Sequence, residues 1–145
     1  MRTTSLCVLC VLLAMVCWVE TMTAVDKTNH FRSTIKQAME LTKKVKQNDT
    51  FLSSPTNDIE DCCAQSALQC FSSQLLKIPT TYKTLLRKLN KNLSKSVIVE
   101  SVGNCSRKER AKVICKSCDS YPMVDNKEFL KNLLSFLQKA FSRLP

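Results

Sequence analysis

Glycine occurs once in the 145 residues, as Gly103, and histidine once, as His30. Proline occurs four times, as Pro55, Pro79, Pro122 and Pro145. A β-protein turning every 8–12 residues or so needs more of both turn formers. Without a glycine-rich loop there is no cradle for phosphates. One histidine near the N-terminus leaves little for acid–base catalysis. It also leaves no second set of ligands at zinc spacing. No apolar run reaches the roughly 18 residues of a membrane span. These gaps argue against an enzyme, a metal site, a bound cofactor and a transmembrane anchor.

What is present begins with a leader. Arg2 precedes LCVLCVLLAMVCWV, an apolar run of signal-peptide length, and then the more polar ETMTA. Residues 1–24 are expected to be a secretory signal peptide and 25–145 one mature domain. Cys7, Cys10 and Cys17 leave with the leader. Cys62, Cys63, Cys70, Cys105, Cys115 and Cys118 remain, an even set in an oxidising compartment. Asn48-Asp-Thr, Asn92-Leu-Ser and Asn104-Cys-Ser are glycosylation sequons that fit a secreted, extracellular chain. The formal net charge is +10. Outside the cell this favours acidic protein surfaces, heparan-type glycans or anionic membranes over nucleic acid. Solubility alone is the plainer reading.

The internal prolines divide the mature chain into helical blocks, giving an all-α fold class. In the first block Phe31, Ile35, Ala38, Thr42 and Val45 recur at helical spacing. A second helix is read over about 57–76, with Asp58, Glu60 and Asp61 favouring its first turn through the helix dipole. A third carries Tyr82, Leu86, Leu89 and Leu93 on one stripe behind a Thr80 or Thr81 cap. The fourth starts from the capping box Asp125 to Glu128. At about 100° per residue, its Phe129, Leu130, Leu133, Leu134, Phe136, Leu137, Ala140, Phe141 and Leu144 fill one arc of roughly 160°. Four one-faced helices make a four-helix bundle the economical fold. The short LKIPT connection makes the second and third helices antiparallel neighbours. The first link, about ten residues, permits an overhand crossover without requiring one. VIVESV, residues 97–102, is the only β-like run.

Cys63 and Cys70 lie two turns apart on one helix face, about 10 Å along the axis. Cys115 and Cys118 span a similar reach in extended chain. Two rungs are therefore open: Cys63 with Cys115 and Cys70 with Cys118, or the crossed pairing. Either leaves Cys62 and Cys105 as a third bridge. The C-x-x-C at Cys115 follows no strand and opens no helix, so a structural clamp is favoured over redox chemistry.

The helix-borne C-x6-C, the later C-x2-C, the string CDSY (Cys118 to Tyr121), KEFL (Lys127 to Leu130) and LLSFLQK (Leu133 to Lys139) resemble a known family. This is the interleukin-2/interleukin-15/interleukin-21 group of short-chain four-helix cytokines. CDSY points within it to the interleukin-21 branch; the interleukin-15/interleukin-2 branch is the alternative. The resemblance implies up-up-down-down topology and the pairs Cys63–Cys115 and Cys70–Cys118. It implies a monomer that pairs a private receptor chain with the common gamma chain and triggers Janus kinases in lymphoid cells. Gln138 occupies the place of a glutamine that faces the common gamma chain, flanked by Leu134 and Phe141. Arg32, Lys36 and Gln37 on the first helix and Arg87, Lys88 and Lys91 on the third are the candidates for the private chain. The group's basic cluster after the third-helix sequon is missing; charge gathers instead in RKERAK, Arg107 to Lys112. A rival of a different class is a cationic host-defence protein that binds glycans or membranes through its amphipathic last helix.

Overall fold

Residues 25–44 are helical and form α1. The computed structural model of the chain describes residues 25–144, so the expected leader lies outside the described residues. Phe31, Thr34, Ala38, Leu41 and Val45 form the buried face of α1. Their 3-4-3-4 spacing is one side of a helix. Buried Thr34 is satisfied within the helix, its hydroxyl donating to the His30 carbonyl at 2.7 Å. Thr42, expected on this face, is only half-buried and bonds back to the Ala38 carbonyl.

A 3-10 turn, Asp61–Cys63, leads into α2, Ala64–Leu75. The reading from residue 57 therefore began the helix too early, and Asp58 and Glu60 lie ahead of it. Ile59 is the only apolar residue in 57–60, so this stretch has no face to bury, and packing supplies most of a helix's stability. The first link consequently runs over 45–60, longer than the ten residues expected.

α3 is Lys83–Leu93 and buries Leu86, Leu89 and Leu93. Neither threonine caps it. Thr80 instead turns the chain early, its hydroxyl accepting from the Tyr82 N–H at 3.0 Å. Tyr82 remains exposed. VIVESV is not a strand: Ser96–Val99 is a short helix, α4, that buries Ile98. Local β-propensity without a partner edge loses to packing. α5, Arg107–Ala111, stands where only a loop was expected.

The strands lie elsewhere. β1, Phe51–Ser53, pairs antiparallel with β2, Met123–Asp125, in the register Phe51↔Asp125, Leu52↔Val124, Ser53↔Met123. Three-residue strands carry too little alternation to be read from sequence. α6, Asn126–Ser142, follows at once. Its Asp125 cap is as expected, Oδ1 accepting from the Glu128 N–H at 2.8 Å.

α1, α2, α3 and α6 share one apolar core centred on Phe31, Phe71, Phe129, Leu89 and Leu133. Phe71 packs against Phe129 and Phe136 with ring centroids 5.6 and 5.3 Å apart. The lone glycine has a steric reason. A Cβ on Gly103 would sit 2.5 Å from the Asp61 carbonyl oxygen and 3.2 Å from Ala64 Cβ. No helix among the described residues is long and apolar enough to cross a membrane.

Candidate interaction surfaces

Three disulfides organise the surface: Cys62–Cys105, Cys63–Cys115 and Cys70–Cys118, with Cα separations of 5.0, 5.6 and 5.2 Å. Of the two rung arrangements that spacing left open, the uncrossed one is present. All three bridges start from the turn and helix spanning residues 61–75 and end in the segment before β2. Cys62 Sγ, Cys105 Sγ and a Glu109 carboxylate oxygen lie together. Both thiols are consumed in the bridge, so the cluster offers no thiolate to a metal.

The first link is held differently. Asn126, fully buried, donates from Nδ2 to the Lys46 carbonyl at 2.7 Å, and its Oδ1 accepts from the Asn48 N–H at 3.2 Å. Gln74 Oε1 accepts from the Ser53 N–H at 3.2 Å, and Asn132 Nδ2 donates to Ser54 Oγ at 2.9 Å. Gln47 Nε2 donates to Asp125 Oδ2 at 3.2 Å. These amides bind the 46–54 segment to α2 and α6. Isolated Asn and Gln residues give no advance sign of such a role. Exposed Phe51 and Met123 on the ribbon were likewise not anticipated.

On α6, Gln138 is exposed and makes no side-chain hydrogen bond among the described residues. Leu134 and Phe141 flank it, each half-buried against the core. Phe141 reaches Phe31 on α1 at 6.5 Å between centroids, and the Arg32 guanidinium lies 5.9 Å over its ring. Arg32 is thus brought to the Phe141 surface rather than to the α3 cations with which it was grouped.

Along α1 and α3, Lys36, Arg87, Lys88 and Lys91 are exposed. Gln37 is half-buried, its Oε1 accepting from Asn92 Nδ2 at 2.6 Å. Nearer the other end Lys44 lies 5.2 Å over the Tyr82 ring and 3.0 Å from Glu40. Asn48 and Asn104 are exposed, whereas the Asn92 sequon stands at the α1–α3 contact, half-buried. Burial raises the Tyr121 phenol above its ordinary pKa.

Between the bridges, α5 is capped by Ser106, whose Oγ accepts from the Glu109 N–H at 3.2 Å. Ser-x-x-Glu is the capping-box pattern, so this helix had a sequence signal that the basic run obscured. Arg143, the residue that ends α6, pairs with Asp61 and joins that helix to the turn ahead of α2. The chain matches no protein-family model.

Proposed function

We propose that this chain is a secreted helical cytokine of the interleukin-2/interleukin-15/interleukin-21 group, interleukin-21-like. It acts by binding alone, pairing a private receptor chain with the common gamma chain to trigger Janus-kinase signalling. The observation that carries the reading is the direction of the helix contacts. Phe31 meets Phe141 while the Thr42 carbonyl accepts from Lys127, so α1 runs against α6. Gln37 meets Asn92 while Lys44 meets Tyr82, so α1 also runs against α3. Asp61 meets Arg143 while Phe71 meets Phe129, so α2 runs against α6. Two helices up and two down satisfy all three relations. That order needs both long links to travel the length of the bundle, and the β1–β2 pair is where they meet.

Three disulfides suit the oxidising compartment that a secreted protein traverses. Gln138, polar and free on the rim of Leu134 and Phe141, suits an interface whose apolar centre is edged by polar groups. Arg87, Lys88, Lys91 and Lys36 supply a basic face for the private chain.

The test is Gln138→Glu, with affinity for the common gamma chain ectodomain and phosphorylation of the downstream kinases as readouts. An unpaired carboxylate beside the Leu134–Phe141 centre, desolvated as the partner closes over it, is expected to cost about 1–2 kcal/mol, a loss of roughly tenfold. Unchanged affinity and signalling would remove the assigned surface.

A further inference from the structure

We infer that the closed loop 105–115 is a binding site for a sulfated polysaccharide of the heparan type, with Arg107, Lys108, Arg110 and Lys112 as its sulfate ligands. This goes beyond receptor binding and does not depend on it.

The loop is preorganised. Cys105 and Cys115 are bonded to adjacent residues, Cys62 and Cys63, so both ends are fixed at one point of the fold. The Ser106 cap fixes the start of α5 between them. Arg107, Lys108 and Lys112 are exposed and Arg110 is half-buried. None of the four is engaged in an ion pair among the described residues; the pairs there are His30–Asp26, Lys44–Glu40 and Arg143–Asp61. The one acid between Glu100 and Asp119 is Glu109, and its carboxylate lies 3.8 Å from Cys105 Sγ, beside the bridge. Four unpaired cations on a fixed frame lose little entropy when an anionic chain is laid across them.

The other anionic partners fit less well. A protein contact needs an apolar centre, and the only apolar residue among the four cations is Ala111. Bases need aromatic platforms, and no aromatic residue lies between Tyr82 and Tyr121. An anionic bilayer would use Ile114, which is 98% exposed. Yet Ile114 lines a recess shared with Asp58, Glu60 and Lys116. A bilayer seated on Ile114 would be brought against those two carboxylates, which an anionic surface repels. Sulfates ask only for guanidinium forks and ammonium point charges.

The experiment compares the secreted full chain with two variants that each remove four positive charges. One is Arg107→Ala/Lys108→Ala/Arg110→Ala/Lys112→Ala in the loop. The other is Lys83→Ala/Arg87→Ala/Lys88→Ala/Lys91→Ala on α3. Circular dichroism and non-reducing peptide maps confirm that each retains its fold and bridges. Binding to immobilised heparin is read across a salt series, with N-/O-desulfated heparin, phosphatidylserine vesicles and duplex DNA as competitors. The loop variant is expected to lose about tenfold or more, and the α3 variant less than about threefold, because contact cations outweigh a change in net charge. Desulfated heparin, vesicles and DNA are expected to compete poorly. An α3 variant as impaired as the loop variant overturns the inference. So does equal competition by desulfated heparin, or tighter binding to vesicles or DNA than to heparin.

Discussion

The two long links of this chain are secured by opposite means. Residues 52–55 of the first are all buried, and side-chain amides from α2 and α6 satisfy its backbone. Between 103 and 120 in the second link no residue is buried, and all three disulfides attach there. Apolar burial and satisfied hydrogen bonds hold the first segment without covalent help. The second is rich in exposed cations and supplies too little apolar surface to offset its ordering entropy. Cross-links that restrict the unfolded chain take over that role. The covalent frame thus allows this exposed segment to be both ordered and polar.

The comparison breaks most severely if sulfur is removed. Cys63→Ala/Cys115→Ala merges the small rings that this bridge closes between Cys62–Cys105 and Cys70–Cys118, and is expected to cost up to about 3 kcal/mol in the chain-entropy model. Denaturant titration reads the loss, and hydrogen exchange should quicken in 103–118 well before it does in 51–54. Equal quickening in both segments would mean that the links are secured as one unit.

Next is Asn126→Ala, which leaves the Lys46 carbonyl and Asn48 N–H without their partner. The expected cost is about 1–2 kcal/mol, because Lys46 and Asn48 lie in exposed chain where water can replace the lost partner. Here exchange should quicken in 46–54 and leave the bridged loop unchanged. The smallest effect belongs to Asp125→Ala, which removes the α6 cap and the Gln47 contact for about 1 kcal/mol. Thermal unfolding measures it. A cost several times larger would show that Asp125 holds the strand pair as well as the helix.

Much of the helical frame was legible beforehand. α6 was readable because its cap, its apolar arc and its polar face agree, and local and tertiary preferences coincide there. The faces of α1 and α3 were readable for the same reason, apart from their ends. Elsewhere local signals misled. Acids at 58–61 looked like a first turn, but only Asp61 enters one and it is drawn to Arg143. VIVESV looked like a strand, but the strands formed where two distant links met. On the candidate surfaces, exposure of Gln138, Arg87 and Lys91 agreed with a solvent-facing reading, while Gln37 and Arg32 were taken up by partners far away in sequence.

Sequence alone determined the helical class and the positions of the apolar faces, and it placed six cysteines between Cys62 and Cys118, because periodicity, capping and cysteine spacing are local properties. Tertiary structure decided which cysteines are bonded, which amides hold the first link, where the two short strands form and why Gly103 is glycine. Each of these depends on atoms tens of residues apart approaching within a few ångströms, and no local pattern encodes that distance.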